Sequence, residues 1–319
     1  MIKLALILLL SSYIFASSLL TTYKDYGIES VQEQLDYELT DKTFWDKYLK
    51  NKDLSFGYIE QYKSILTCDK ESSTLKLYQK SENGKFKLIK KYNAFTGKYK
   101  GDKVKEGDRR TPIGLYNLVE VINKLDPFYG PLAFVTSYPN IYDRYHGKNG
   151  SGIWIHGLPE NQKRDKYTKG CIAIQNKNIK TLNKTIDIQN TLLIINKNRY
   201  LKKVTKKEMS TILSELYRWR YSWIYNDINQ YLDFYSDKFI KSNGAKIKSF
   251  KRYKKRIFAK KERKSIVFKN LNVIPYPNTK DIYKISFTEI YKSDSLKFIG
   301  EKILMVKLTK DTIKIFTEN

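Results

Sequence analysis

The stretch that decides the reading runs from Gly152 to Asn176, GIWIHGLPENQKRDKYTKGCIAIQN. It begins as a strand ending in His156-Gly157 and passes through a polar loop. It then turns tightly at Thr168-Lys169-Gly170-Cys171 into the apolar run Ile172-Ala173-Ile174. The whole chain holds two histidines and two cysteines, and one of each falls here. An imidazole that takes the proton of a nearby thiol turns the sulfur into a nucleophile. Gly170 lets the backbone turn sharply, so that the N–H groups of Gly170 and Cys171 face a developing oxyanion. Each residue also has an ordinary explanation. A cysteine beside β-branched residues is usually a buried small hydrophobe, and a lone histidine is usually a satisfied polar group. The pairing of the two, with glycine on both sides, is what points to nucleophilic catalysis.

His-Gly, a spacer, and Thr-x-Gly-Cys followed by an aliphatic residue resemble the YkuD (L,D-transpeptidase catalytic) family. Upstream, Thr96-Gly97, the segment Gly107-Asp108-Arg109-Arg110-Thr111-Pro112-Ile113-Gly114-Leu115-Tyr116 and the segment Tyr138-Pro139-Asn140-Ile141-Tyr142-Asp143-Arg144 resemble the family's substrate-strand segments in order and spacing. The resemblance covers about residues 64–200. It implies a mainly β catalytic domain, a β-sandwich or barrel-like mixed sheet, over residues 63–200. It also implies that Cys171 attacks a peptide carbonyl as thiolate and that His156 serves as base and then as acid. The Gly157 carbonyl would orient the imidazole, the N–H groups of Gly170 and Cys171 would hold the oxyanion, and Thr168 would brace the loop.

Two positions depart from the transpeptidase pattern: many members have His where Lys169 stands and Arg where Ala173 stands. Lys169 meets a substrate carboxylate or is a solvated loop lysine. The murein-peptidase branch of the family resembles the chain better, through Tyr-Pro-Asn…Asp-Arg, Gly-x-Trp-Ile-His-Gly and Lys-Gly-Cys. That branch hydrolyses rather than cross-links.

Arg144 is the first choice for a stem-peptide carboxylate, because arginine recognises carboxylates bidentately. A pair with Asp143 is the competing explanation. Trp154 stands two residues before His156 and so shares its strand face, where it lines the cleft or packs in the core. Together with Thr168 and Lys169 these make the expected substrate-contacting set. No group of histidines, cysteines and carboxylates has metal-ligand spacing, so neither metal nor cofactor is called for.

Working outward, residues 1–16 carry Lys3, an apolar run from Leu4 to Leu10 and a small-residue end at Ala16. This has the form of a signal peptide and is too short to span a bilayer comfortably, so export, to a periplasm, is expected. Sixty Lys and Arg against 33 Asp and Glu give a net charge of +27. So basic a chain suits an anionic partner, and export makes nucleic acid the weakest candidate and cell wall the strongest. Cys68 lies in the strand-like Ser64-Ile65-Leu66-Thr67-Cys68, an ordinary place for a buried free thiol. The family resemblance implies a thioredoxin-like reductant for Cys171.

Residues 17–62 read as a short helical segment that packs on the catalytic domain or pairs with a second copy. From Lys202 the character changes. A helix opens at Lys206, its apolar residues spaced through Ile212, Leu216 and Trp219. Strand-like runs follow at 265–268, 283–290, 303–308 and 312–316. Residues 201–319 resemble the nuclear-transport-factor-2-like cone, an α+β fold, and are expected to bind or position rather than catalyse. Lys248 to Lys264 holds ten basic residues and one acid, Glu262. That run is either wall affinity or a solvated helix face.

The whole arrangement resembles the cell-shape-determining L,D-carboxypeptidases of helical bacteria. This implies removal of the terminal D-alanine from stem tetrapeptides at meso-diaminopimelate, and a homodimer formed through the N-terminal segment. The alternatives are L,D-transpeptidation on the same nucleophile and a non-catalytic wall-binding protein.

Overall fold

The structure, a computed structural model, describes residues 2–160, 165–198 and 202–319, with side chains from residue 18 onward. The export signal expected at residues 1–16 lies outside the residues whose side chains are described. Among the described residues no helix is long and apolar enough to cross a membrane.

The chain opens with helix α1 (Ile2–Glu38), broken where Gly27 adopts φ +81. Next come α2 (Lys42–Tyr48), capped by the Asp41 side chain, and the two-residue strand β1 (Tyr58–Ile59). A first β unit follows with β2 (Ser64–Asp69), β3 (Thr74–Lys80), β4 (Phe86–Phe95), β5 (Gly114–Ile122) and β6 (Ala133–Thr136). Then come α3 (Ile141–Tyr145), β7 (Trp154–His156), β8 (Ile172–Ile174), α4 (Asn176–Thr185) and β9 (Thr191–Asn196).

These strands form a closed barrel in the order β2-β3-β4-β8-β7-β6-β5-β9, the barrel-like of the two expected arrangements. Closure comes from β2 running parallel to β9, Ser64 opposite Thr191 and Asp69 opposite Asn196. That pairing removes both sheet edges at once. The Asn83-Gly84 turn joins β3 to β4, Gly84 taking the positive φ that such a turn requires. Leu66, Cys68, Leu77, Phe134, Ile155 and Ile172 belong to the packed interior.

The segment from Tyr138 to Arg144 turns into α3. Asn140 explains this: its side chain accepts from Asp143 N–H, and Asp143 accepts in return from Asn140 N–H, a capping box that starts a helix.

The C-terminal unit has α5 (Lys206–Ile224), α6 (Ile228–Asp233) and α7 (Ile247–Ala259). Its strands are β10 (Lys264–Pro275), β11 (Ile282–Ser293), β12 (Lys297–Leu308) and β13 (Ile313–Glu318). They make an antiparallel sheet whose edge is completed by β1, with Tyr58 opposite Val273. The N-terminal segment therefore packs on both units: β1 extends this sheet, while Phe56 meets Tyr78 and Phe86 of the barrel edge-on and Asp53 accepts from Phe86 N–H at 2.8 Å. Trp45 of α2 and Leu49 just after it are buried in one core with Leu213, Leu216 and Trp219 of α5, and buried Asp36 pairs with Arg220.

A further core joins the two units. Ile65, Leu115, Ile141 and Ile194 of the barrel side pack with Ile274, Tyr276 and Phe316 of the sheet. Asn140 Nδ2 donates to the Tyr276 hydroxyl at 3.1 Å across this junction.

Candidate active site

Strands β7 and β8 run parallel as neighbours, Ile155 opposite Ile172 and His156 opposite Ala173. Cys171 stands immediately before β8, two residues from the partner of His156. Since alternate strand residues share a face, the thiol and the imidazole rise from adjacent strands on one side. His156 is buried and Cys171 half-buried. Both cysteines are free thiols.

The imidazole is oriented by backbone. His156 Nδ1 lies 2.7 Å from the Gly157 carbonyl. A carbonyl can only accept, so Nδ1 carries a proton, which leaves Nε2 as the nitrogen that can exchange one. The Cys171 thiol donates to the Gly152 carbonyl at 3.4 Å.

The loop before Cys171 is tied to itself. Thr168 Oγ1 donates to the Cys171 carbonyl at 2.7 Å and accepts from Gly170 N–H at 3.0 Å. Thr168 is buried, so it braces the loop and is not available for the expected substrate contact. Gly170, expected as an oxyanion donor, spends its N–H on Thr168. Its φ of +139 is open to glycine alone, and a Cβ there would lie 3.0 Å from the Arg110 carbonyl. The carbonyl of Arg110 thus forms the wall behind the turn that carries Cys171.

That wall is itself rigid. Asp108 accepts from the N–H groups of Val104 (2.8 Å), Lys105 (3.2 Å) and Arg110 (3.1 Å) and pairs with Lys103 Nζ at 3.0 Å. Burial alone would raise its carboxyl; these donors outweigh burial and bring it down to about 2. Between Asp108 and Arg110, Arg109 is held at φ +53.

Two residues that the sequence did not single out complete the site. The Tyr129 ring meets His156 and Trp154 edge-on, at centroid distances of 5.1 and 5.3 Å. Trp154 is half-buried against that ring. Asn176 Oδ1 accepts from Leu158 N–H at 2.7 Å, and its Nδ2 donates to the Leu158 carbonyl at 2.9 Å. This fixes the backbone just after Gly157. A Cβ on Gly157 would sit 2.4 Å from Asn176 Oδ1, so only glycine fits. The signal for both was weak: Tyr129 lies in a Pro-initiated 3-10 turn, and Asn176 is one of many asparagines.

Lys169 is exposed on the loop. Arg144 is not on the strands that carry the nucleophile but on α3, where its guanidinium donates to the Pro139 carbonyl. Asp143, its expected competitor for that guanidinium, pairs with Lys148 at 3.0 Å. Neighbouring Tyr142 and Tyr145 pack on Tyr276 and Phe316 of the C-terminal unit. His146 stacks beside Tyr142 at 4.4 Å, and burial lowers its pKa. Cys68 is fully buried, which pushes its thiol up to about 12. No metal-binding group of side chains occurs among the described residues.

In the C-terminal unit, α7 turns most of the basic run outward, but Lys254 points in. Its Nζ stands 4.1 Å from the centroid of Trp223, and burial lowers its pKa to about 8. Glu318, buried nearby, pairs with Lys302 at 3.0 Å and accepts from the Tyr235 hydroxyl at 3.0 Å.

Compared with known proteins, residues 63–195 match the L,D-transpeptidase catalytic domain (YkuD), and residues 211–319 match the Cds6 C-terminal NTF2-like domain. The chain is similar to the helical cell shape determining protein Pgp2 from Campylobacter jejuni. The identity is 35% and the TM-score 0.80, covering 88% of this chain and 100% of that one. Bd1075 from Bdellovibrio bacteriovorus is similar at 28% identity with a TM-score of 0.65, covering 81% of this chain and 92% of that one. YafK of Escherichia coli (strain K12), whose name places it with the L,D-transpeptidases, is 34% identical over 113 residues, 34% of this chain. The chain spans 42% of the length of the curated relatives it matches.

Proposed function

The chain belongs to the YkuD L,D-transpeptidase family, in the two-domain form of the cell-shape determinant Pgp2, and from that premise we propose that it is a peptidoglycan L,D-carboxypeptidase. It removes the terminal D-alanine from stem tetrapeptides, leaves tripeptides, and so sets helical cell shape. The observation that carries the reading is the Nδ1 bond of His156 to the Gly157 carbonyl, on the strand beside Cys171. It orients the imidazole so that Nε2 is left to act as the base next to a half-exposed thiol.

In this reaction His156 Nε2 takes the thiol proton, and the sulfur attacks the carbonyl on the L-centre of meso-diaminopimelate. With Gly170 N–H occupied by Thr168, Cys171 N–H is the backbone donor to the tetrahedral oxyanion. As the C–N bond breaks, His156 returns its proton to the departing D-alanine amine. Water, deprotonated by His156, then cleaves the thioester and restores the thiol. The Tyr129 ring packs against the base and Trp154 against that ring.

The C-terminal unit serves as the binding module that holds the enzyme to the wall. Export delivers the enzyme to the periplasm, where a thioredoxin-like reductant keeps Cys171 reduced. Exposed Leu20, Tyr23 and Tyr26 on α1 offer the face for a homodimer.

The test is purified protein with a disaccharide-tetrapeptide, read by mass spectrometry beside Cys171→Ala. Loss of one alanine, absent in the variant, is the expected result. Cross-linked dimers would make it a transpeptidase. Intact substrate with a reduced thiol would sink the catalytic reading and favour a wall-binding protein.

A further inference from the structure

A cavity of about 260 Å³ is lined by Thr96 to Gly101, after β4, and by Lys166 and Tyr167, which lead into Thr168. Its position follows from the barrel. Strand β4 pairs with β8 antiparallel, Phe95 opposite Ala173. The chain leaving β4 therefore passes the start of β8, where Cys171 stands. Gly97 bridges Thr168, with Thr168 N–H donating to the Thr96 carbonyl at 2.8 Å and Lys98 N–H to the Thr168 carbonyl at 3.1 Å. One wall of the cavity is thus backbone-bonded to the residue that braces Cys171.

The lining charge is one-sided. Lys70, Lys98, Lys100, Lys166 and Lys197 face it with a single acid, Glu71. Lys70 is engaged with the carbonyls of Gly101 and Thr111. Burial brings it down to about 8. The other four are not ion-paired to any carboxylate among the described residues. Lys98 Nζ is held over the rings of Tyr167 and Tyr99, 5.0 and 5.8 Å from their centroids. Concentrated like charge in a concave, low-dielectric place attracts an anion far better than the same charge spread over a surface. The tyrosine faces add a surface for peptide planes and aliphatic chain.

We propose that this cleft is the subsite for the carboxylates of an acidic peptide, the part of the stem that does not react, with Lys98 and Lys166 as its principal contacts. The assignment rests on the carboxypeptidase reading for the identity of the peptide, and it deepens that reading by naming what the substrate is recognised by. Carboxylate binding here positions the scissile carbonyl from the β4 side.

The experiment has two arms on the full chain. In the first, a fluorescein-labelled Ala-γ-Glu-diaminopimelate-Ala tetrapeptide is titrated against Cys171→Ala, alone and combined with Lys98→Gln and Lys166→Gln. The same is done with a peptide whose glutamate carboxylate is amidated. Losing two charge-assisted contacts is expected to weaken binding about tenfold or more, and amidation to remove much of that difference. Unchanged affinity on removing both lysines would overturn the assignment. So would displacement by polyphosphate with no response to amidation, which would point to a phosphate polymer instead.

In the second arm, turnover by the chain carrying Cys171 is compared with and without the two lysine substitutions. KM is expected to rise about tenfold with kcat within about twofold. Lysine-dependent binding without turnover by the wild type would sink the carboxypeptidase reading and leave the cleft standing. Turnover indifferent to the lysines would do the reverse.

Discussion

Asn176 grips the backbone of Leu158 from both sides, accepting its N–H at 2.7 Å and donating to its carbonyl at 2.9 Å. The grip fixes the residue after Gly157, and Gly157 is the one whose carbonyl orients the imidazole of His156. Asparagine is suited to this because one side chain offers both a donor and an acceptor in a plane. Asn176 is therefore a positioning residue, acting on the base through two peptide units.

Replacing Asn176 by alanine leaves the Leu158 amide unpaired and lets the Gly157 carbonyl drift. Misplacement of a catalytic group by about 1 Å costs on the order of 100-fold, so kcat is expected to fall roughly 10- to 100-fold with KM nearly unchanged. A change confined to thermal stability, with kcat intact, would reduce Asn176 to a structural clamp.

The two thiols differ in kind. Cys171 is half-exposed beside His156, whereas Cys68 is sealed in the barrel and its thiol is raised to about 12. At neutral pH iodoacetamide is expected to label Cys171 and spare Cys68 until denaturant is added, because only a thiolate reacts at an appreciable rate. His156→Ala should slow that labelling roughly tenfold or more. Equal, slow labelling of both would remove the basis for a nucleophile. Peptide mapping after a timed pulse reads the result.

Asp108 gives the site an acid limit. Its carboxyl titrates at about 2 in the folded chain against an ordinary value of 3.8. A depressed carboxyl stabilises the fold fully above the ordinary value, and that stability is lost as pH falls from about 4 towards 2. Screened by solvent, the shift corresponds to about 1 kcal/mol at neutral pH. Asp108→Asn is thus expected to cost about this much at pH 7 and progressively less below pH 4. Denaturant titrations at several pH values give the difference. A gap between the two proteins that stays constant from pH 7 to pH 3 would contradict the assignment of the shift to Asp108.

Much of this arrangement was readable from short-range features. The His156–Cys171 pair stood out because histidine and cysteine are rare in the chain. Helix α5 announced itself by the apolar spacing through Ile212, Leu216 and Trp219, whereas the capping box of Thr205 and Glu208 that starts it emerges only in the structure. What escaped reading was set by long-range contact. Tyr58 and Ile59 have no strand pattern of their own and become β1 only because Val273 and Asn272 lie alongside. Barrel closure depends on Ser64 meeting Thr191, a pairing that neither strand encodes alone. Lys254 looked like one more cation in a solvated run, yet helical period turns it inward with Phe250 and Phe258.

The N-terminal segment yields the last prediction, because its packing separates two roles expected of it. Trp45 is buried, donates its indole N–H to the Leu39 carbonyl at 2.8 Å and lies 5.1 Å from the ring of Tyr217 on α5. Asp46 accepts from Ser210 at 2.6 Å, so α2 is bonded to α5 as well as packed on it. A segment needed only for pairing copies would place its large apolar groups outward; here the largest goes into the C-terminal core. Trp45→Ala is therefore expected to destabilise the C-terminal unit by roughly 3–5 kcal/mol, the usual cost of truncating a buried aromatic residue. The fall in melting temperature should be the same at all protein concentrations, since a contact within one chain does not obey mass action. A loss that disappears at high concentration would instead assign Trp45 to an interface between copies.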